Sequence, residues 1–344
     1  RMAFTIRRPL GVVCAITPFN FPVNLAAHKI GPALAAGNTV IYKPASATPL
    51  TAALLCEVFQ EAGLPAGCLN LIYGEGSKVG RLLTADERIR MFSFTGSVPV
   101  GKALHEAVGF RRISLELGAN SANIVHEDVA DVAWAAEHCA RHAFVNAGQV
   151  CISCQRVYAA RSIYEAFCAA AVEAARNFKA GDLMDVHTQI GPMISVREAE
   201  RIEAWVAEAA SAGARVLTGG RRTGAFYEPT VLTDVTPAMK VVSEETFAPV
   251  VSIIPYDTIE AAVRMVNDTR YGLQAGVFTR SLAVANYCAE HLEVGGVIIG
   301  DGATFRMDNM PYGGVKDSGI GREGPAYAIR ELTEEKLIVL NVEG

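Results

Sequence analysis

The sequence predicts an α/β fold with two domains, the first built on a parallel sheet covered by helices. Short apolar segments alternate with amphipathic segments of helical period through residues 11–117, which indicates consecutive β-α-β units. Hydrophobic residues make up 51% of the chain and charged residues 19%, as is typical of a packed globular protein. At 344 residues the chain is long enough to bury the cores of two domains.

The first domain has the clearest alternation of strands and helices. Strands are predicted at 11–17, 39–43, 69–73, 90–94 and 112–117. Helices are predicted at 23–36, 49–62, 79–84 and 98–108. Gly37-Asn38 and Gly63-Leu64-Pro65 supply the stop signals of the first two helices.

The second domain is expected to begin near Ala119. Alanine-rich helices are predicted at 129–146 and 162–177, and strands at 216–218, 250–256 and 275–278. We place the boundary between Glu116 and Cys151, and we expect the chemistry in a crevice between the domains.

The composition excludes several classes of protein. A net charge of −5 and a pI near 5.9 argue against a nucleic-acid surface. No apolar run reaches the roughly 18–20 residues of a membrane span. The eight cysteines are scattered, which indicates reduced thiols in a cytoplasmic protein.

Two short motifs contain the strongest candidates for chemistry. Cys151 follows Asn146-Ala147-Gly148-Gln149-Val150, and Glu116 precedes Leu117-Gly118-Ala119-Asn120. A thiolate attacks a carbonyl carbon, and a carboxylate can activate the water that releases the product. Neither motif decides the function alone, because most cysteines pack as small apolar residues and most glutamates are solvated.

Further motifs follow in a fixed order along the chain. They are Ile16-Thr17-Pro18-Phe19-Asn20-Phe21-Pro22, Val40-Ile41-Tyr42-Lys43-Pro44-Ala45-Ser46, Phe94-Thr95-Gly96-Ser97, Glu244-Glu245-Thr246-Phe247-Ala248-Pro249 and Pro311-Tyr312-Gly313-Gly314-Val315-Lys316. In this order and at these spacings the set resembles the aldehyde dehydrogenase superfamily, from about residue 9 onwards. Several motifs in register are far more specific than a lone Gly-rich loop.

The resemblance implies an aldehyde dehydrogenase-like fold, with a Rossmann-type parallel-sheet domain and a second α/β catalytic domain. Residues 1–10 would be the remnant of an oligomerisation strand, and 11–118 a dinucleotide-binding domain that is incomplete at its N-terminus. Residues 119–325 would form the catalytic domain, and 326–344 a C-terminal segment with another oligomerisation strand. Because family members have a longer region before residue 4, we expect a fragment or a truncated homologue.

The resemblance also implies catalytic roles. Cys151 would form a thiohemiacetal with the aldehyde, and Asn20 would hold its oxygen together with the backbone N–H of Cys151. Glu116 would be the general base for thioester hydrolysis, and Lys29 stands where the family has a lysine that relays a proton. The expected reaction is NAD(P)-dependent oxidation of an aldehyde to its carboxylic acid.

The implied cofactor is NAD or NADP. Lys43 would reach the adenosine ribose, while Glu245 and Phe247 would meet the nicotinamide ribose and ring. Gly96-Ser97 ends a strand and opens a helix, where N–H groups and the helix dipole attract phosphate. Ser46 stands where NAD-specific relatives often carry glutamate, so its neutral hydroxyl permits NADP. The expected cofactor-binding residues are Ile16, Thr17, Pro18, Phe19, Lys43, Ala45, Ser46, Gly76, Phe94, Gly96, Ser97, Leu117, Glu245 and Phe247.

Arg306 is the candidate for substrate binding. It lies in Thr304-Phe305-Arg306-Met307-Asp308, and a guanidinium can fork onto a carboxylate, phosphate or sulfonate. A structural pair with Asp308, or a surface arginine, is the alternative. The expected partners are a small, anionic aldehyde and further copies of the chain in a homodimer or homotetramer. The apolar segment 336–342 would extend a neighbouring subunit's sheet.

Other functions stay open on the residues alone. A cysteine hydrolase using Cys151 with a histidine would need no cofactor, a CoA-acylating enzyme would not need Glu116, and a truncated homologue would be catalytically impaired. Cys151 and Cys154 have the spacing of a redox pair, but the surrounding pattern is not that of a short thioredoxin-like fold. His138 and His142 are four residues apart, without the further ligands of a zinc site, and no metal is expected.

Overall fold

A computed structural model of the chain describes residues 1–341. Its strands are β1 (Met2–Pro9), β2 (Val12–Ile16), β3 (Thr39–Lys43), β4 (Leu69–Leu71), β5 (Ile89–Thr95), β6 (Arg112–Glu116), β7 (Ala122–Val125), β8 (Arg156–Ala160), β9 (Arg215–Thr218), β10 (Arg222–Thr223), β11 (Phe226–Tyr227), β12 (Thr230–Thr233), β13 (Val250–Tyr256), β14 (Gln274–Phe278), β15 (Gly296–Ile299), β16 (Gly319–Ile320) and β17 (Thr333–Leu340).

The helices alternate with these strands. They are α1 (Asn24–Ala35), α2 (Pro49–Glu61), α3 (Gly76–Ala85), α4 (Val98–Val108), α5 (Val132–Phe144), α6 (Tyr164–Arg176), α7 (Val196–Ser211), α8 (Lys240–Ser243), α9 (Ile259–Asn267), α10 (Leu282–His291) and α11 (Pro325–Glu331). Among residues 1–341, none of them has both the length and the apolar character needed to cross a bilayer.

The chain divides into two compact units. The first contains Arg1–Leu117, Met307–Gly313 and the segment from Gly319 onwards. The second contains Gly118–Arg306 and Gly314–Ser318.

The first unit is built on a six-stranded sheet in the order β16-β6-β5-β2-β3-β4. All neighbours are parallel except β16, which pairs antiparallel with β6. The central residues of β2, Val13 to Ala15, are fully buried, as expected for a strand covered on both faces. The predicted mainly parallel α/β fold is confirmed.

The end of α1 follows the predicted stop signal. Gly37 has a φ of +86°, a conformation that glycine adopts without a Cβ penalty. The N–H of Asn38 donates to the carbonyl of Ala33 at 3.0 Å, which closes the helix in the pattern of a Schellman motif. The Asn38 side chain also donates to the carbonyl of Leu332, so the helix end is tied to the C-terminal part of the same unit.

A separate two-stranded ribbon completes the first unit. β1 and β17 pair antiparallel over their whole length, from Met2 opposite Leu340 to Pro9 opposite Thr333. Its apolar side chains are largely exposed, with Leu337 at 64% and Val339 at 55%. Val342, the last residue of the predicted oligomerisation segment, lies outside the described residues.

The second unit contains a seven-stranded sheet in the order β15-β14-β7-β8-β13-β12-β9. Its neighbours are parallel except the pair of β9 and β12. α5 and α6 cover part of this sheet through a core that includes Ala140, Phe144 and Phe167. α5 begins three residues later than predicted, because the Asp131 side chain accepts the N–H groups of Ala133 and Trp134 and caps the helix there.

Candidate active site

The carboxyl edge of the six-stranded sheet collects most of the cofactor residues predicted in the first unit. Parallel strands end at the same edge, and loops leave them there towards helix N-termini. The N–H of Thr17, after β2, donates to the carbonyl of Lys43 at the end of β3 at 3.2 Å. The N–H of Gly96, after β5, donates to the carbonyl of Glu116 at the end of β6 at 3.0 Å. Ile16, Phe94 and Leu117 lie at these same strand ends.

The N-terminus of α4 is the clearest candidate for a phosphate site in this unit. Ser97 is the N-cap residue, but its side chain makes no capping hydrogen bond. Pro99 has no N–H and that of Gly101 donates to the carbonyl of Ser97, so the N–H groups of Val98 and Val100 are the donors that suit an anion, which the helix dipole also favours. A Cβ at Gly101 would lie 2.8 Å from Cδ1 of Leu117, so glycine allows the helix to pack closely on β6. These donors fit the pyrophosphate of a dinucleotide.

Lys43 and Ser46 follow β3 at the same edge. Lys43 is buried and its Nζ donates to the carbonyl of Pro44 at 2.9 Å. Burial lowers the pKa of Lys43, and the neighbouring thiol of Cys14 opposes that shift. Ser46 is exposed, while Pro18, Phe19 and Ala45 are partly buried, and Gly76 opens α3.

Glu116 is a buried carboxylate at the last position of β6. It lies opposite Gly319 of β16 in antiparallel register. A Cβ at Gly313 would lie 2.8 Å from Oε1 of Glu116, so the Pro311–Lys316 motif supplies a glycine that leaves room for this carboxylate. The structure therefore joins two motifs that lie far apart in the sequence.

Lys29 takes part in a buried ion pair that the sequence did not indicate. Its Nζ lies 2.9 Å from Oε1 of Glu323 and 3.2 Å from Oγ of Ser93, and Lys29 and Glu323 are both at least 96% buried. A buried ammonium requires an acidic partner. The relay role of Lys29 stays a prediction. Glu323 is a functional candidate that sequence reasoning missed.

Asn20 lies in the turn that leads into α1. It is partly buried, four residues before the helix begins at Asn24. The N–H of Leu25 donates to the carbonyl of Phe21 at 3.0 Å, which fixes the start of the helix relative to this turn.

In the second unit, Cys151 follows a turn with three consecutive left-handed residues. The φ angles are 53° at Asn146, 54° at Ala147 and 68° at Gly148. This conformation costs residues with a Cβ about 1–2 kcal/mol each and persists only where the surroundings enforce it. The turn ends α5 and brings the partly exposed Cys151 directly after it.

The surroundings enforce the turn from several directions. A Cβ at Gly148 would collide with the carbonyl oxygen of Ala248, so only glycine fits against that backbone. The Gln149 side chain donates to the carbonyl of Asn146 at 3.1 Å and accepts the N–H of Ile194 at 2.7 Å.

Thr304 connects the Cys151 loop with the segment that carries Arg306. Its hydroxyl donates to the carbonyl of Ile152 at 2.8 Å and lies 3.2 Å from the carbonyl of His142. The buried Gln274 side chain donates to the carbonyls of Ala303 and Phe305, both at 2.6 Å. Arg306 is thus one residue beyond a segment fixed to the immediate neighbour of Cys151.

The predicted alternative partner of Arg306 has another contact. An oxygen of Asp308 lies 3.3 Å from Nε2 of the buried His28 within the first unit. His28 was not among the predicted site residues.

Cys154 differs sharply from Cys151. It is completely buried, and burial raises its pKa well above the ordinary range, with a smaller contribution from Cys139. A buried thiol of this kind is a poor nucleophile. No disulfide joins Cys151 and Cys154 in the described part of the chain.

Glu245 and Phe247 lie in the segment 244–249. Oε1 of Glu245 accepts the N–H of Ala119 at 3.1 Å, and Gly118 leaves room for the carboxyl. Burial raises the pKa of Glu245 to about 7, although the Ala119 N–H and the charges of Arg201 and Arg270 oppose the shift. Phe247 has a φ of 45°, which is another strained position in this unit.

The histidines of α5 have structural surroundings. The backbone carbonyl of His142 accepts the N–H of Cys154 at 3.2 Å. Nε2 of the His142 ring lies 3.6 Å from Oδ1 of Asp301. The rings of His138 and Trp134 pack together with a centroid distance of 4.0 Å. Residues 1–341 contain no group of three His, Cys, Asp or Glu side chains placed to hold a metal ion.

Comparison with known proteins identifies the family. The model of the aldehyde dehydrogenase family matches residues 1–338. The chain is 53% identical over 342 residues to a 3-sulfolactaldehyde dehydrogenase of Priestia aryabhattai, covering 99% of the chain and 72% of that relative. It is 41% identical over 346 residues to a lactaldehyde dehydrogenase of Methanococcus aeolicus, covering 99% and 74%.

The chain belongs to the aldehyde dehydrogenase family.

Solved structures agree with this assignment. A glyceraldehyde-3-phosphate dehydrogenase from Methanocaldococcus jannaschii, complexed with NADP, has a TM-score of 0.95 and 41% identity over 99% of this chain and 75% of its own. Aldehyde dehydrogenase 21 from Physcomitrella patens, in complex with succinate, has a TM-score of 0.96 and 41% identity over 98% and 70%. The predicted resemblance and the predicted enzyme class are confirmed: this aldehyde dehydrogenase is an oxidoreductase that uses NAD or NADP.

Gly148→Ala should lower kcat for aldehyde oxidation by about 100-fold, because displacing the Ala248 carbonyl would move Cys151 by a fraction of an ångström or more. The matched control is Gly224→Ala, since Gly224 lies in the same unit and also has a positive φ, at 61°, but its Cβ would meet nothing within 4 Å. The control should lose only about 1–2 kcal/mol of stability in thermal unfolding. Equal kinetic losses in the two variants would contradict a special role for the Gly148 contact.

Glu245→Gln should stabilise the protein increasingly as pH rises from 5 to 8. The folded pKa of about 7 lies above the ordinary value of 4.5, so the wild type loses stability as pH rises through this window. The difference between variant and wild type should reach at most about 3 kcal/mol. Thermal unfolding of variant and wild type at a series of pH values would measure this difference. The control is Glu106→Gln, at an exposed glutamate. A difference that does not change with pH would show that the Glu245 carboxyl does not retain its proton in the folded protein.

Proposed function

We propose that the chain oxidises a short 2-hydroxyaldehyde that carries an anionic group, with a sulfonated lactaldehyde as the first candidate. The observation that carries this proposal is the attachment of the Arg306 segment to the Cys151 loop through Thr304. A guanidinium on a segment attached to this loop can select an anionic substrate by charge-assisted hydrogen bonds. The names of the similar relatives, a 3-sulfolactaldehyde and a lactaldehyde dehydrogenase, support a substrate of this size and type.

Cys151 is the proposed nucleophile. Its thiolate adds to the aldehyde carbon and forms a thiohemiacetal, whose oxyanion is assigned to the Asn20 side chain and the Cys151 N–H. When bound, NAD or NADP supplies the hydride acceptor that the oxidation to a thioester requires. Glu116 then takes a proton from the water that attacks the thioester, which releases the carboxylic acid and restores the Cys151 thiolate. Lys29, paired with Glu323, is assigned the onward transfer of that proton.

The cofactor is assigned to two groups of residues. In the first unit, Lys43 and Ser46 would hold the adenosine ribose, and the α4 N-terminus after Gly96-Ser97 would hold the pyrophosphate. In the second unit, Glu245 and Phe247 would meet the nicotinamide riboside. The neutral Ser46 removes a repulsion against a 2′-phosphate, so the proposal allows NADP as well as NAD.

We further propose a homodimer or homotetramer. The ribbon of β1 and β17 exposes several large apolar side chains, among them Phe4, Leu337 and Val339. Apolar surface of this extent on a regular strand pair is a suitable surface for a second copy. The eight cysteines, which are free thiols in the described residues, support a cytoplasmic location.

Cys151→Ala should abolish aldehyde oxidation and leave cofactor binding intact, because the thiol forms the covalent intermediate. Cys154→Ala is the matched control three residues away and should keep most of the activity. Steady-state NAD(P)H formation and a cofactor titration measure both properties. An active Cys151→Ala with an inactive Cys154→Ala would overturn the choice of nucleophile.

Arg306→Gln should lower kcat/KM for 3-sulfolactaldehyde by about 30-fold, since a charge-assisted contact contributes roughly 2 kcal/mol. The loss for uncharged lactaldehyde should be much smaller. Arg197→Gln, at a side chain that is 91% exposed, is the control for removing a positive charge elsewhere. The same loss for both aldehydes would show that Arg306 does not recognise the anion.

Removal of residues from 336 onwards should reduce the molar mass in light scattering from a dimer or tetramer towards a monomer, because the exposed face of β17 is lost. Leu337→Ser with Val339→Ser, in the full chain, should weaken assembly in the same direction. A monomeric wild type, or unchanged assembly in both variants, would exclude this interface.

A further inference from the structure

Two segments of the second unit contain the residues assigned to covalent chemistry and to the nicotinamide. The nucleophile segment, residues 145–155, contains Cys151, and the cofactor segment, residues 244–249, contains Glu245 and Phe247. Both are irregular and both include residues with positive φ. Strained segments keep one conformation only when neighbouring groups hold them.

The side chain of Gln155 directly bridges these segments. Its Oε1 accepts the N–H of Thr246 at 2.9 Å, and its Nε2 donates to the carbonyl of Glu244 at 2.5 Å and to that of Val241 at 3.2 Å. One amide thus satisfies backbone groups on both sides of Glu245. Rotating the amide by half a turn would oppose two carbonyls with its oxygen, so the hydrogen-bonding pattern defines its orientation.

Gln155 itself has a rigid position. It is 97% buried and immediately precedes β8, where its N–H donates to Ser121 at 3.0 Å and its carbonyl accepts from Ser252 at 2.9 Å. Three residues separate it from Cys151. A displacement of the cofactor segment would therefore move Gln155, the C-terminal residue of the nucleophile segment.

A second contact links the same segments independently of Gln155. The backbone of Gly148 lies against the carbonyl of Ala248, directly after Phe247. On the outer side, Nη2 of Arg201 donates to the carbonyl of Thr246 at 2.7 Å. The cofactor segment is thus held at Thr246 and at Ala248. The nucleophile segment contacts it through Gly148, before Cys151, and through Gln155, after Cys151.

We propose that Gln155 is a positioning residue that couples occupancy of the Glu245–Phe247 segment by the nicotinamide end of the cofactor to the reactivity of Cys151. Gln155 touches neither substrate nor cofactor in this account. The inference rests on the proposed function, because it takes the assignments of Cys151, Glu245 and Phe247 from it.

The test is the rate at which iodoacetamide alkylates Cys151, with and without saturating NADP. Mass spectrometry of the Cys151 peptide distinguishes this thiol from the other seven cysteines. In the wild type, NADP should change the rate by at least about 5-fold, the lower end of typical coupling between sites. In Gln155→Met, which has similar length but no amide, the ratio should fall to less than half of its wild-type value, because only the Gly148–Ala248 contact still links the segments.

Gln274→Met is the matched control. Gln274 is equally buried and also donates to two backbone carbonyls, but these belong to the Arg306 segment. This variant should keep the wild-type ratio while raising KM for the aldehyde. Gln155→Asn retains a shorter amide and should give an intermediate ratio, and it serves as the second test should Gln155→Met fail to fold.

A wild-type ratio within twofold of 1, or an unchanged ratio in a folded Gln155 variant, would overturn the coupling. If aldehyde oxidation still required Cys151 in that case, the proposed function would stand without the coupling. If Cys151→Ala oxidised the aldehyde, the proposed function would itself be wrong.

Discussion

The contact between the Gly148 backbone and the Ala248 carbonyl is the constraint on which the position of Cys151 depends. The contact leaves no room for a side chain at residue 148. Gly148 follows Asn146 and Ala147, whose backbones are also left-handed. Such a turn is unfavourable in isolation, so the energy that maintains it must come from packing and hydrogen bonds around it. Gln149, Gln155 and Thr304 supply these bonds. A single thiol is thereby presented at the end of a helix while Cys154 stays buried.

The first unit depends on a simpler rule. Parallel strands release their loops at one edge of the sheet, so residues from distant parts of the sequence meet there without any specific contact between them. Helix N-termini meet at the same edge and favour an anion. Buried charge is restricted to places where a partner exists, as Lys29 and Glu323 illustrate. Loops and helix N-termini at one edge suit the binding of a dinucleotide. Glu116 is the last residue of β6 and lies at the same edge of the sheet.

Several strands and helices could be predicted from the sequence, whereas the residues that hold the candidate site in place could not. β3, α4 and β13 have the predicted bounds, because apolar period and breakers mark them clearly. β7, β8 and α7 were not predicted: β7 and β8 are short, and β8 begins with an arginine buried among carbonyl groups. These elements are buried by tertiary packing, which the local pattern of apolar residues does not indicate.

The ion pair of Lys29 joins residues 294 positions apart, and the hydrogen bond from Thr304 to Ile152 spans 152 positions. No periodicity or spacing connects residues at such separations. Motif resemblance located Cys151, Glu116 and Arg306 as candidates because it compares whole patterns. It did not indicate Glu323, Thr304 or Gln155, whose functions depend on neighbours that only the fold brings to them.

In the proposed function, Cys151 forms a thioester whose hydrolysis requires Glu116. Trapping the acyl-enzyme tests it most directly: Glu116→Gln is mixed with aldehyde and NADP, quenched in acid, digested and analysed by mass spectrometry. The account predicts an acyl group on the peptide containing Cys151, on that thiol and not on Cys154, in an amount that matches the NADPH formed. An acyl group on another cysteine, or stoichiometric NADPH with no acyl group on Cys151, would contradict it.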